Sequence, residues 1–378
     1  RVQTPTLAMM VQREEAIEGF VPEVFCQVKV QLAVPDGAWE ALWNEEVPDG
    51  KRRDRVADRA AAQAVLDRIQ GLGGLVTRVT RKKNREQPPL LYDLTTLQKE
   101  ANRRFRFSAQ RTLELAQSLY EEHKVLSYPR TDSRHIGADQ FDGLPEQLRS
   151  LGFGPYQVTA ESVLQRWPVS LGKRVVDDKE VSDHHAIVPT GVDPRRCNLD
   201  RDHKRIFDLV ARRFLAVFLP DAVFAVMNVD TTLGTDLFAA RGRSCLDPGW
   251  RAIDPPKNEK KKDKEVILPP VEEGDEPEQR SAELHEGTTK PPRRYSEASL
   301  LGAMERAGES LQDAELKRAM KRNGLGTPAT RAAIIETLLS RGYIERQERQ
   351  ILPTTQGRAL ISALPVAELK SPELTGEW

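Results

Sequence analysis

From Val24 to Val34 the chain alternates, with Val24, Cys26, Val28, Val30, Leu32 and Val34 on one parity and mostly polar or aromatic residues on the other. A period of two is the mark of a half-buried strand. A strand needs partners to bury its apolar face, so the chain must build a sheet. Leu75–Thr80 and Val223–Leu233 read as further strands. Elsewhere the period is helical. Residues 1–18 carry Leu7, Met10, Val11 and Ile17 and end before Pro22. Arg55–Gln70 is amphipathic, with Val56, Ala60, Val65, Leu66 and Ile69 inward, and Gly71, Gly73 and Gly74 stop it. Helix resumes at Asp93, where Thr95 and Gln98 have capping-box spacing. Ser108 caps a helix in which Leu113, Ala116 and Tyr120 share a face, flanked by Leu115 and Leu119, as far as His123. Residues 203–219 carry Ile206, Phe207, Val210, Phe214 and Val217 and are closed by Pro220. Strand-rich stretches thus flank a long helical insert, an α+β pattern.

Residues 254–294 are rich in Pro, Lys and Glu, with a charged run from Lys257 to Lys264, and read as a solvated turn or linker. Ser296 then caps a helix with Leu300, Leu301 and Met304. Thr327–Pro328 starts another, bearing Ile334, Ile335, Leu338 and Leu339 and stopped by Gly342. Tyr343–Ile344 and Ile351–Leu352 flank a charged turn, so helix followed by hairpin gives a winged-helix-like arrangement. A length of 378 residues suits two or more domains. With 57 basic and 57 acidic residues, bulk charge points to no partner. No apolar stretch approaches the roughly 20 residues of a bilayer span, so no membrane partner is expected. Cys26, Cys197 and Cys245 lack C-x-x-C spacing, which argues against zinc and for three reduced thiols in a cytosolic protein. The chain opens on Arg1 with structured-looking sequence and ends at Trp378, so an internal piece of a longer polypeptide is expected.

The chemistry concentrates in three places. Ser127-Tyr128-Pro129-Arg130-Thr131-Asp132-Ser133-Arg134 puts a tyrosine two residues before an arginine, on a segment that Pro129 keeps out of helix. Tyrosine can hold a phosphoryl group covalently, and arginine forks onto phosphate. In extended backbone Tyr128 and Arg130 share a face, and Thr131, Asp132 and Ser133 can brace the turn. If both side chains meet one phosphate, the octamer cuts strands; otherwise Tyr128 is a half-buried aromatic. The second place is Asp183-His184-His185 before Ala186-Ile187-Val188-Pro189-Thr190, where a histidine can donate to phosphate or stand as an idle pair. The third is Asn323-Gly324-Leu325-Gly326-Thr327-Pro328-Ala329-Thr330-Arg331, where glycines permit close approach and a capped helix start offers N–H groups to an anion. Between Lys99 and Arg134 eight Lys/Arg face five Asp/Glu, and Phe105 and Phe107 interleave with Arg104 and Arg106, a pattern that suits single-stranded nucleic acid as well as a charged helix face over two core rings.

Taken in order, these boxes resemble the type IA DNA topoisomerases, on the topoisomerase III branch. The matching segments are Tyr128–Ser133, His184–Pro189, Gly249–Ala252, Ser296–Leu300, Gly324–Arg331 and Arg341–Ile344, with Arg1–Leu7 also fitting. The resemblance implies a toroidal multi-domain α+β enzyme that passes DNA through a transient single-strand gate, without ATP. It implies a split helical domain at 1–20 and 280–378, a split β-rich hinge domain at 21–92 and 223–279, and an inserted, winged-helix-like tyrosine domain at 93–222. Tyr128 would form a 5′-phosphotyrosine, with Arg130 and His184 on the scissile phosphate. Arg1, Gln3, Thr327, Thr330 and Arg331 would lie along single-stranded DNA. The family's Mg²⁺ ligands belong to an N-terminal Toprim domain whose acidic box this sequence lacks. Asp200-Arg201-Asp202 has the spacing without the buried strand it needs. A cytoplasmic, nucleoid-associated protein is expected. Two alternatives use the same residues: a winged-helix DNA-binding module without covalent chemistry, and a tyrosine relaxase or recombinase. A relaxase would show a histidine–apolar–histidine triplet, which this sequence lacks, and a recombinase would carry its Arg/His set upstream of a late tyrosine, whereas His184 follows Tyr128.

Overall fold

The computed structural model describes residues 2–47, 51–56, 58–257, 265–308 and 324–371. The chain runs α1 (Gln3–Glu18), β1 (Val24–Val34), β2 (Gly37–Glu46), β3 (Arg52–Arg53), α2 (Arg59–Ile69) and β4 (Leu75–Glu86). It continues with α3 (Leu94–Phe105), α4 (Ala109–Glu121), α5 (Leu144–Ser150), α6 (Gln157–Gln165) and α7 (Arg201–Ala216). Then come β5 (Ala222–Leu233), β6 (Asp236–Asp247), β7 (Glu278–Thr288), α8 (Glu297–Glu305), α9 (Pro328–Ser340), β8 (Ile344–Gln347), β9 (Gln350–Pro353) and α10 (Thr355–Ala363). Strands β4-β5-β6-β2-β1-β7 form one antiparallel sheet with β3 on β2, and β8-β9 is a separate hairpin.

Three apolar cores organise these elements. In the first, Ala62, Val65 and Ile69 of α2 pack on Val28, Val30, Leu32, Trp39 and Phe238 of the sheet. The second gathers Leu97 of α3, Leu115 and Leu119 of α4, and Ile206, Val210 and Phe214 of α7 around Leu126 and Ile187. The third joins Leu7 and Met10 of α1 to Leu301 of α8, Ile335 and Leu338 of α9, and Ile344 and Ile351 of the hairpin. Each fully buried aliphatic side chain contributes about 1.5–3 kcal/mol. The second and third cores hold the site between them, because α3 and α4 dock on α8 and α9. Ala109 of α4 is buried in the third core, and its N–H donates to Glu297 at 2.9 Å.

Several expectations are revised. The linker expected over 254–294 contains β7, which pairs with β1 from Val24↔Thr288 to Ala33↔Glu278. As an edge strand it draws stability from backbone bonds while most side chains stay in water, so its composition hides it. The division at 279/280 falls inside this strand. Of the charged run, 258–264 lies outside the described residues, whereas the Lys257 ammonium donates to the Arg104 carbonyl at 2.7 Å. Helix α2 begins four residues later than Arg55: Val56 pairs with Cys26 instead, Asp58 caps, and Ala62 rather than exposed Ala60 faces the core. The cap of α3 is Asp93 with Thr96, since Thr95 and Gln98 point into the interior. Within 93–221 strand pairing is limited to isolated bridges; the helix-and-hairpin unit is α9 with β8–β9.

Candidate active site

The Tyr128 segment is held by short bridges rather than a ladder. Leu126 pairs with Pro189, and Tyr92 with Ile187. The Ser127 N–H donates to the Val188 carbonyl at 2.9 Å, and the Val188 N–H returns to Ser127 Oγ at 2.9 Å. Thr131 Oγ1 donates to the His184 carbonyl at 2.9 Å and accepts from the Ser133 N–H at 3.0 Å, while Ser133 Oγ donates to the Glu180 carbonyl at 2.8 Å. The small hydroxyl residues thus replace a ladder where Pro129 cannot supply an N–H. They tie the tyrosine octamer to the histidine box, about fifty residues away in sequence.

Half-buried Tyr128 lies with its ring 4.3 Å from that of His184, centroid to centroid, and 5.4 Å, edge-on, from that of Tyr120. The Arg130 guanidinium donates to Gln117 Oε1 at 3.0 Å. Gln117 and Tyr120 are one turn apart on α4, so Tyr128 and Arg130 meet the same face of that helix. The role of Gln117 escapes a motif search, but its spacing from Tyr120 is the signal that could have found it. Asp132 accepts from Ser182 Oγ at 2.9 Å, closing the far side.

A cavity of about 190 Å³ opens here, lined by Arg130, Thr131, Asp132, Ser182, Asp183 and His184, and by Thr327, Pro328 and Ala329. All three sequence boxes therefore meet at one cleft. The first turn of α9 faces it, presenting the positive end of the helix dipole to an anion. Thr327 and Thr330 are exposed, and the Thr327 N–H is satisfied by Thr330 Oγ1 at 2.9 Å.

The other expected contacts lie elsewhere. Arg331 is 2% exposed and turns inward, donating to Thr95 Oγ1 at 2.9 Å. Burial pushes its pKa down while Glu305 and Asp93 favour its charge. It belongs to a buried polar layer under the cleft, where Lys99 pairs with Glu305 at 2.5 Å and burial raises the pKa of Asp93. Gln3 accepts from Arg341, just past the far end of α9 from Thr327. Arg1 and Asn323 lie outside the described residues. Gly324, at φ +56°, does bring backbone close, but to the chain itself: a Cβ there would meet the Met304 carbonyl at 2.3 Å.

The described residues do not furnish the magnesium site that the resemblance implies. Asp200 caps α7, accepting from the N–H groups of Asp202 and His203 at 2.8 Å, and Asp202 pairs with Arg111 and Arg205. No group of three or more His, Cys, Asp or Glu among the described residues is placed around a common ion. Nor is any described helix long and apolar enough to cross a membrane.

The chain is 38% identical to a DNA topoisomerase 3 of Bacillus cereus and 36% identical to that of Bacillus subtilis, each match covering all of this chain and 52% of the relative. The chain thus spans about half the length of the curated relatives it matches. Among solved structures, full-length topoisomerase I from Thermotoga maritima superposes with a TM-score of 0.73 at 23% identity, over all of this chain and 57% of that one, which shows a shared fold. The family model described as DNA topoisomerase matches residues 1–378, and the chain belongs to that family.

Proposed function

We propose that this chain supplies the nucleophile and the strand-holding cleft of a type IA DNA topoisomerase. The Tyr128 phenolic oxygen bonds to the phosphorus of single-stranded DNA as the bond to the 3′-oxygen breaks. The phenol gives up its proton and the departing 3′-oxygen takes one up, leaving a 5′-phosphotyrosine. One ester replaces another, so the step is close to balanced, needs no ATP and reverses to reseal the strand. Charge growing on the phosphate meets Arg130 and His184, fixed donors that cost no reorganisation. Thr327 and Thr330 hold the strand at the start of α9. Gln3 and Arg331 act on the frame rather than on DNA.

The observation that carries this reading is the convergence of three distant boxes on one cleft, with Tyr128 against His184 and Arg130 at the rim. The three cores support a division into helical, hinge and tyrosine parts with blurred borders: Leu91, Tyr92, Phe224, Trp250 and Ile253 of the expected hinge pack in the tyrosine core, Ala109 packs in the helical core, and the last hinge boundary moves past Thr288. The test is covalent capture. A single-stranded oligonucleotide is mixed with the polypeptide at the length of its curated relatives, with magnesium, and quenched in detergent. The adduct should map to Tyr128 through a 5′-phosphate; an adduct on another residue, or none, overturns the assignment.

A further inference from the structure

The sheet carries a charge that the whole chain does not. Strand β4 holds Arg78, Arg81, Lys82, Lys83 and Arg85 against one carboxylate, Glu86. Glu86 is already engaged by Arg243 at 2.8 Å and by Arg251. All five cations are exposed. Arg81 donates to the Val271 carbonyl at 2.6 Å, and Arg78, Lys82, Lys83 and Arg85 have no ion-pair partner among the described residues. Solvated surfaces normally intersperse the two signs.

The register sorts these side chains. Arg81 is opposite Met227, which is opposite Gly242; Lys83 is opposite Ala225, which is opposite Ser244; Arg85 is opposite Val223. Opposed residues share a face, so Arg81, Lys83 and Arg85 form one row, about 6.6–6.8 Å apart, twice the strand rise. A groove of about 340 Å³ runs beside the row, with Ala225, Met227 and Gly242 among its lining and Ile267, 81% exposed, on its wall. The segment 272–275, with Glu272, Glu273 and Asp275, covers only the start of β4: the Val79 N–H donates to Glu273 and the Gly274 N–H to the Val76 carbonyl. Beyond Arg81, which meets the Val271 carbonyl, no acidic side chain among the described residues pairs with Lys83 or Arg85.

Among the described residues that line the groove none is aromatic, so none offers a ring on which a single-stranded base could stack. A straight row of cations grips phosphates without reading bases. Cations beside an exposed isoleucine are the combination that minor-groove binders use. We propose that Arg81, Lys83 and Arg85 form a second DNA site, which holds the phosphate backbone of a double-stranded segment away from the Tyr128 cleft and without sequence preference. The proposal rests on the reading of this chain as a DNA enzyme and adds a duplex contact to it. Lysines also guard sheet edges against pairing with other chains, a role that concerns aggregation and not DNA.

The test uses the full chain, with fluorescence anisotropy of labelled duplex and single-stranded oligonucleotides over a salt series. For Lys83→Gln/Arg85→Gln the slope of log K against log salt on duplex should fall by about 1.8, roughly 0.9 for each phosphate no longer neutralised, with duplex affinity down about tenfold at low salt. Single-strand affinity should stay within about twofold, because its phosphates sit in the cleft. Adding Arg81→Gln should deepen the duplex loss; since Arg81 also holds Val271, the double variant remains decisive if the triple one unfolds. Unchanged duplex affinity and slope in the double variant overturn the proposal. So do equal losses on both DNA forms, which mean one shared site, and aggregation with intact duplex binding, which means an edge guard. Tyr128→Phe leaves duplex binding unchanged, so the two readings fail separately.

Discussion

The sheet and the cleft use hydrogen bonds in opposite ways. From Val223 to Leu233, β5 pairs with β4 on one side and β6 on the other along its whole length. Around Tyr128 the backbone pairs only at single bridges, and the side chains of Ser127, Thr131 and Ser133 do the rest. A ladder spreads its stability over many equivalent bonds. The cleft puts its geometry into a few hydroxyls and the ring contacts of Tyr128 with His184 and Tyr120. Substitutions in the sheet should therefore cost stability and spare chemistry, and substitutions in the cleft should do the reverse.

The sharpest break in that contrast is Tyr128→Phe in the polypeptide at the length of its curated relatives. Covalent capture and supercoil relaxation should vanish while the melting temperature and single-strand binding hold; surviving relaxation would refute the nucleophile. Next in size is Phe238→Ala, which empties a fully buried site in the sheet core and should cost about 3–5 kcal/mol by denaturant titration with cleavage intact below the transition. Arg130→Ala should slow cleavage on the order of 10²-fold, as the loss of a transition-state donor does. A wild-type single-turnover rate would remove Arg130 from the chemistry. Thr131→Val tests the boundary between the regions. It strands the His184 carbonyl and the Ser133 N–H, at a cost of about 1–3 kcal/mol. It should lower both stability and rate, whereas loss of stability alone would make Thr131 a purely structural brace.

The smallest effect concerns pH. Burial holds the Glu297 carboxyl above the usual carboxylate range, against the Ala109 N–H and Arg346. The folded protein then binds this proton where the unfolded chain has released it. The group's contribution is full below its unfolded value and is lost as pH rises through the raised folded value. Glu297→Gln keeps an acceptor for Ala109 and should flatten that part of the stability–pH curve in denaturant titrations at stepped pH. A curve with the same fall would assign it to another group.

Elements whose signals are local were legible. The span Val24–Val34 is that of β1, and Cys26, Val28, Val30 and Leu32 are buried as the alternation predicts while Val24 at the end is exposed; Ser108, Ser296 and Thr327 stand at the N-caps expected of them. Each of these depends on residues within about one helical turn or one strand. Strand β7 was hidden because an edge strand needs a partner more than an apolar face. Thr95 and Gln98 mimicked a cap because a spacing does not reveal which way a side chain points.

The boxes, their order and the residue types able to perform phosphoryl chemistry were all determined by the linear chain, since a nucleophile and an anion-binding arginine are chosen by covalent structure alone. Folding decided which of them meet. It set the Tyr128 ring, tilted, against His184, brought the start of α9 to the same cleft, turned Arg331 inward to Thr95 and spent Asp200 on a helix cap. Those outcomes depend on pairings such as Leu126 with Pro189 and Arg331 with Thr95, across 63 and 236 positions of chain. At such separations packing and backbone satisfaction choose the partner, and no local pattern encodes the choice.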